Sequence, residues 1–237
     1  MVHREFDVVV YGASGFTGQL VAEYLVKNYS PNEFHWALAG RSEAKLAKVK
    51  ENLGELEHVG LIVADSADSA SLRAMAKRAR VILTTVGPYV SYGAELVRVC
   101  AEEGTHYVDP TGEPPFVRQM ADAHDATAKQ TGARIVHCCG FDSVPSDLGT
   151  LLIADHLGSG DELDRVDAYF GPMRGGASGG TLASMFGLFE NFSIGTLLKS
   201  MSANARGSIG GRTEKDEGAR RPRSVVSQAG WFVWERR

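Results

Sequence analysis

The sequence predicts an α/β protein, in which a doubly wound and mostly parallel sheet is followed by a smaller, incomplete α+β substrate domain. Three observations predict it. Short β-branched or apolar runs alternate with segments of helical spacing from Phe6 to Cys138. Glycines and capping residues stand where those helices should begin and end. The 237 residues, 43% hydrophobic and 23% charged, can bury a sizeable core in one large domain or two.

The predicted strands are Phe6–Tyr11, His35–Ala39, Gly60–Ala64, Val81–Val86, His106–Val108 and Arg134–Cys138. After the first, Leu20, Val21, Tyr24 and Leu25 share one side of a helix, and after the second Leu46, Val49 and Leu53 do the same; both sides should face the sheet. Ser42 is placed to cap the second helix, and Gly104 and Gly132 to end later ones as left-handed stops. "GFDSVPSDLGTLLIADHLG" predicts a last helix, which closes a first domain over residues 1–160. A partial substrate domain is expected over 161–206, where "ELDRVDAYFG" begins as an alternating strand and "GGASGGTLASMFGLFENFSIGTLLKSM" has helical spacing interrupted by Glu190, Asn191 and glycines. Residues 207–237, rich in Gly, Arg and Ser, read as a mobile, atypical tail whose Arg220, Arg221 and Arg223 either meet an anionic partner or lie in a solvated loop.

Composition narrows the function classes. A net charge of −4 and a pI near 6.0 give no overall attraction to nucleic acid. The start "MVHREFDVVVYG" has no extended apolar segment before a cleavage site, and its apolar run is too short to span a bilayer, so a cytoplasmic protein is expected, with peripheral membrane contact left open. Three cysteines, two adjacent at Cys138 and Cys139, suit neither a disulfide framework nor a metal site, and are expected as buried thiols on a strand.

The chemistry begins in "VVVYGASGFTGQLVAEYL". Three glycines stand where the first strand turns into the first helix: Gly12 for the tight turn, Gly15 for close approach of a ligand, and Gly18 for close packing of helix on strand. Free N–H groups and the positive end of the helix dipole favour a pyrophosphate there, with Ser14 and Thr17 adding hydroxyls and Phe16 counted among the cofactor-binding residues. The spacing is G-x-x-G-x-x-G, and its setting between a predicted strand and helix makes it the phosphate turn of a Rossmann domain. At the end of the second strand, "ALAGRS" carries Arg41 where an acidic residue would grip the ribose of NAD. A guanidinium suits the 2′-phosphate of NADP instead, with Ser42 and Lys45 nearby. Asp65 in "VADSAD" is placed for the adenine edge, or for a helix cap. Val86, Gly87 and Pro88 of "TTVGPY" lie at the sheet edge where nicotinamide-ribose would rest.

"YGASGFTG", "ALAGRS", "VGPYVSYGAELVRVCAEEGTHYVDPTGE", "HCCGFDSVPSDLG" and "SGGTLASM" together resemble the saccharopine dehydrogenase-like NADP-binding proteins, and among them the trans-acting enoyl reductase group. The resemblance runs from about Asp7 to about Met185. It implies an NADPH-dependent reductase acting on an enoyl bond of a polyketide-derived, lipid-like intermediate. Members of the family carry a longer second domain, so the stretch after Arg206 departs from their pattern, and weak or absent turnover by the shortened chain is expected.

Reduction needs a proton as well as a hydride. Tyr89, Tyr92, Asp109, Glu113 and Asp142, with Ser143, all fall near the expected nicotinamide end, and no single one stands out from packed aromatics or capping acids. His137, inside an apolar strand, is expected as a satisfied core histidine, and nothing in the sequence pairs His106 with Asp109. A short-chain dehydrogenase lacks support, since no tyrosine has a lysine four residues later. A carbon–nitrogen bond reductase and a non-catalytic nucleotide-binding module stay open, as does homo-oligomer formation.

Overall fold

The computed structural model describes residues 3–157 apart from Asn32 and Glu55, then 166–169, Gly179, Ala183 and Phe186, and the backbone of two further strands. Its first half repeats one unit. β1 (Phe6–Tyr11), β2 (Trp36–Gly40) and β3 (Gly60–Val63) are separated by α1 (Phe16–Asn28) and α2 (Glu43–Asn52). α3 (Ser69–Arg78) then leads to β4 (Ala79–Thr84), and α4 (Tyr89–Tyr92) and α5 (Ala94–Glu103) to β5 (His106–Val108). α6 (Pro114–Thr131), β6 (Ile135–Val136) and α7 (Val144–Leu157) follow.

The six strands form one sheet of order β3-β2-β1-β4-β5-β6, parallel at every pairing. Such strands carry helices on both faces and so read as continuous apolar runs. β2 is the clearest case, buried at all five positions. One face packs Val10 and Leu38 against Ala22 of α1 and Leu46 and Val49 of α2. The other packs Val9, Ile82 and Tyr107 against Leu72 and Met75 of α3, Leu96 and Val97 of α5, and Phe116 and Met120 of α6. Each large apolar side chain fully buried here contributes roughly 1.5–3 kcal/mol of transfer free energy.

The ends of these helices follow the residues expected to make them. Ser42 Oγ accepts the Lys45 amide at the start of α2, and Gly104 and Gly132 end α5 and α6 with φ of 66° and 80°. The chain reverses direction across the sheet between β3 and β4, so the carboxyl ends of β1 and β4 bound a crevice at the switch point. The amide of Thr85 donates to the Tyr11 carbonyl at 2.9 Å and closes the floor of that crevice.

Three expectations are corrected. Leu20 and Tyr24 do not face the sheet: they are 49% and 58% exposed, and Gly18 and Ala22 are the buried positions of α1. Small residues there bring the helix so close that they, rather than the larger side chains, set its rotation. The sixth strand is only Ile135–Val136, because the chain leaves the sheet at His137 and Cys138 takes a positive φ of 60°. Cys139 is consequently exposed rather than buried on a strand, and Cys138 only half-buried.

Within the expected tail, β7 (Arg223–Val226) and β8 (Phe232–Glu235) pair antiparallel, where a loop alone was expected. Val166–Tyr169 lie in neither helix nor strand, and the rest of the expected strand, like the apolar segment around Glu190, lies outside the described residues. Among the described residues no helix is long and apolar enough to cross a membrane.

Candidate functional site

The turn between β1 and α1 has no room for side chains at two of its glycines. Gly12 has a φ of 91°, and a Cβ on it would lie 2.8 Å from both Thr85 Oγ1 and Val86 Cγ2. A Cβ on Gly18 would meet the Gly12 carbonyl oxygen and stand 2.7 Å from Ala13 Cα. Both contacts are with backbone or packed side chains, so the expected roles of turn and close packing have a direct steric cause.

Gly15 differs: it is exposed, with only the Gly12 oxygen 3.2 Å from where its Cβ would be. It is also the N-cap of α1, and no side chain caps the first-turn amides, whereas Ser42 and Asp68 cap α2 and α3. Uncapped amides at the positive end of a helix form an anion site. Phe16 is 71% exposed beside them, Thr17 is exposed, and the Ser14 carbonyl is held by Gln19 Nε2 at 3.0 Å.

On the β2 side of the crevice, Arg41 is exposed and makes no hydrogen bond or ion pair among the described residues. Its charge reaches the buried Tyr11 phenol, whose pKa is pushed up to about 12 by burial and by Asp65, and is held back by a hydrogen bond with Ser66 and by Arg41. Tyr11, Arg41, Asp65 and Ser66 therefore share one corner. Asp65 Oδ1 accepts the Ala67 amide at 2.9 Å, so part of that carboxylate shapes its own turn. Ser42 is occupied as the cap of α2.

On the β4–β6 side the candidates fall into two groups. Glu113 is fully buried, accepts the amides of Tyr89 at 3.0 Å and Val90 at 2.8 Å, and thereby caps α4 from a distance. Tyr89 is buried, donates its hydroxyl to the Thr84 carbonyl at 3.3 Å, and is held far above the usual tyrosine range by burial and the nearby Asp109 and Glu113. Tyr92 is 49% exposed on α4. Val86, Gly87 and Pro88 connect β4 to that helix, the Val86 amide donating to Thr84 Oγ1 at 3.2 Å.

Asp109 is a fully buried acceptor for Tyr107 OH at 2.7 Å, the Thr111 amide at 3.0 Å and the Cys138 amide at 3.3 Å, and it lies 2.7 Å from His137 Nδ1. His106 stands elsewhere, its Nδ1 accepting the Arg134 amide. Asp142 is packed where a Cβ on Gly140 or Gly112 would touch its carboxyl oxygens, at 2.6 and 3.2 Å. Burial raises its pKa, against hydrogen bonds from its own amide and that of Ser143. Burial also pushes the Cys138 thiol up to about 12, with Asp109 and Asp142 adding to it, so that thiol is protonated at neutral pH. Asp142 is itself exposed in its loop, and its pKa is raised above the ordinary carboxylate value.

Sequence reasoning missed Tyr11 and the pairing of His137 with Asp109. The second was accessible from strand register: Tyr107 pairs with Ile135 and Val108 with Val136, so the next step sets Asp109 beside His137. His137 is only half satisfied, for its Nε2 is buried without a partner among the described residues.

A parallel sheet of this order, with an uncapped glycine-rich helix start at its switch point, defines a dinucleotide-binding domain. A family model for the saccharopine dehydrogenase NADP-binding domain matches residues 8–136, and the chain belongs to that family; its dinucleotide is NADP(H). Among curated proteins it is similar to a trans-acting enoyl reductase of Mycobacterium leprae (strain TN), 47% identical over 187 residues, which are 76% of this chain and 44% of the relative. A trans-acting enoyl reductase of Mycobacterium tuberculosis (strain ATCC 25618 / H37Rv) is 51% identical over 146 residues, 61% of this chain and 34% of the relative. The chain thus spans less than half the length of these relatives. In fold it is similar to apo saccharopine dehydrogenase (L-Glu forming) from Saccharomyces cerevisiae, with a TM-score of 0.52 and 18% identity over 64% of this chain and 31% of that one.

Proposed function

We propose that the chain is the cofactor-binding part of an NADPH-dependent reductase acting on the enoyl double bond of a lipid-like acyl substrate. The observation that carries the cofactor half is Arg41, an exposed guanidinium at the end of β2 with no protein partner among the described residues. Its position fits a ribose 2′-phosphate, while the α1 amides after Gly15 fit the pyrophosphate. The enoyl substrate rests on the named mycobacterial relatives.

Bound NADPH supplies the hydride. The chain's own residues have three tasks: Gly12, Gly15 and Gly18 let the backbone approach the phosphates, Arg41 selects the 2′-phosphate, and Asp142 is the candidate to pass a proton on the β6 side of the crevice. Adding a hydride to the β-carbon of an unsaturated acyl thioester leaves an enolate, which takes one proton at the α-carbon. A carboxyl whose pKa is raised above the ordinary carboxylate value suits that step, directly or through water.

The test is single-turnover mixing of the NADPH complex, deuterated at the transferring position, with an α,β-unsaturated acyl thioester or with an imine. This reading expects slow NADPH oxidation with the thioester and none with the imine, and one deuterium at the β-carbon of whatever product forms. Oxidation by the imine alone would make the chain a carbon–nitrogen bond reductase, and oxidation by neither would leave a nucleotide-binding module.

A further inference from the structure

Three loops leave the carboxyl edge of the sheet after β4, β5 and β6, and the structure ties them with two buried carboxylates. Glu113, in the loop after β5, caps the start of α4 after β4. Asp109, at the start of the same loop, reaches the other way. Its carboxylate faces four donors: Thr111 N and Cys138 N at Oδ1, Tyr107 OH and His137 Nδ1 at Oδ2. Its carbonyl also accepts the Cys139 amide at 2.7 Å.

Asp109 as the acceptor in all four contacts puts the shared hydrogen on the imidazole Nδ1. The His137 side chain is 8% exposed, wedged edge-to-face between Tyr107 and Phe116 with centroids 5.5 Å from each. Its Nε2 is a bare acceptor, buried without a partner among the described residues. A buried polar ring with one unsatisfied nitrogen is costly, which leaves the Nδ1 bond as its polar contribution.

That bond acts where the chain turns out of the sheet. His137 and the left-handed Cys138 start the loop that lays Asp142 against Gly112 and Gly140, across the two loops. In a sheet of this order the adenosine half of the dinucleotide lies over β2 and β3, and the nicotinamide half over β4 to β6. We infer that His137 is a positioning residue for the nicotinamide half of the site: its Nδ1–H, through Asp109, locks the loops after β5 and β6 together. The inference rests on the NADP(H) reading of the crevice.

The experiment compares NADPH with 2′,5′-ADP, which carries only the adenosine half, by calorimetry on the full chain. His137→Leu removes the donor, whereas His137→Asn keeps an N–H near the Nδ1 position and deletes Nε2. Leucine should weaken NADPH about tenfold, the effect of one charge-assisted hydrogen bond, with 2′,5′-ADP within about twofold of wild type. Asparagine should restore both. In the apo protein, exchange at the Cys138 and Cys139 amides should quicken in the leucine variant and return to wild type in the asparagine one. Equal losses for both ligands would mean a general structural role and overturn the inference, as would an asparagine variant that behaves like leucine. Should the leucine variant fail to fold, His137→Met, which also lacks the donor, is compared with the asparagine variant in its place. Wild-type protein that binds 2′,5′-ADP and NADPH equally would overturn the nicotinamide placement itself, and with it the inference.

Discussion

The amide of Tyr89 donates to Glu113 Oε1 at 3.0 Å, across the gap between the end of β4 and the loop after β5. With the Val90 amide on Oε2, this makes a buried carboxylate the cap of a helix to which it does not belong. Glu113→Ala should cost about 1–3 kcal/mol, because a buried and a partly buried amide lose their acceptor together. Glu113→Gln, which keeps one acceptor oxygen, should cost less. Urea unfolding checks both, and an alanine variant as stable as wild type would show that water replaces the carboxylate.

Gly18→Ala should destabilise the protein by roughly 1–3 kcal/mol, since the added methyl meets backbone atoms of Gly12 and Ala13 and must push α1 off β1. Gly15→Val should differ in kind. Gly15 is exposed, so the fold should survive with a thermal midpoint close to wild type, while the side chain occupies the phosphate position and abolishes NADPH binding. Thermal melts with and without NADPH separate the two, and retained binding in the valine variant would make the turn structural only.

The existence of all six strands was legible because each is an apolar run and a central parallel sheet leaves little else for such runs to form, whereas the bounds of β4 (Ala79–Thr84, against an expected Val81–Val86) and β6 were not. Gly12, Gly18, Ser42, Gly104 and Gly132 behave as local rules require, since turn and cap geometry depend on a few neighbouring residues. What depends on tertiary approach was not legible. Leu20 and Tyr24 have helical spacing, yet α1 is rotated by the contact at Gly18, a fact of two backbones in space. Glu113 and Asp109 read as turn or proton-donor acids because their partners, Tyr89 and His137, are 24 and 28 residues away.

Stability should fall as the solution is acidified below the ordinary histidine value of 6.5. His106 has its pKa lowered by burial, by Arg134 and by Arg80, and its Nδ1 accepts the Arg134 amide. His124 is lowered as well, by burial and Arg98. A folded pKa below the unfolded one means that the unfolded chain binds more protons in this window, so stability rises with pH through it and is fully present above 6.5. His106→Asn, which keeps an acceptor for the Arg134 amide and cannot titrate, should flatten part of the slope. Denaturant midpoints measured from pH 5 to 8 check this, and an unchanged slope would remove His106 from the account.

The most direct test of the central claim, that this crevice takes NADPH through the α1 amides and Arg41, is calorimetric titration of the wild-type chain and Arg41→Ala with NADPH and NADH. The account predicts tighter binding of NADPH by the wild type. In the alanine variant that preference should fall by about ten- to hundredfold, corresponding to ~1.5–3 kcal/mol for a charge-assisted contact, with NADH affinity unchanged. Equal wild-type affinity for the two dinucleotides, or a preference that survives in Arg41→Ala, would contradict it.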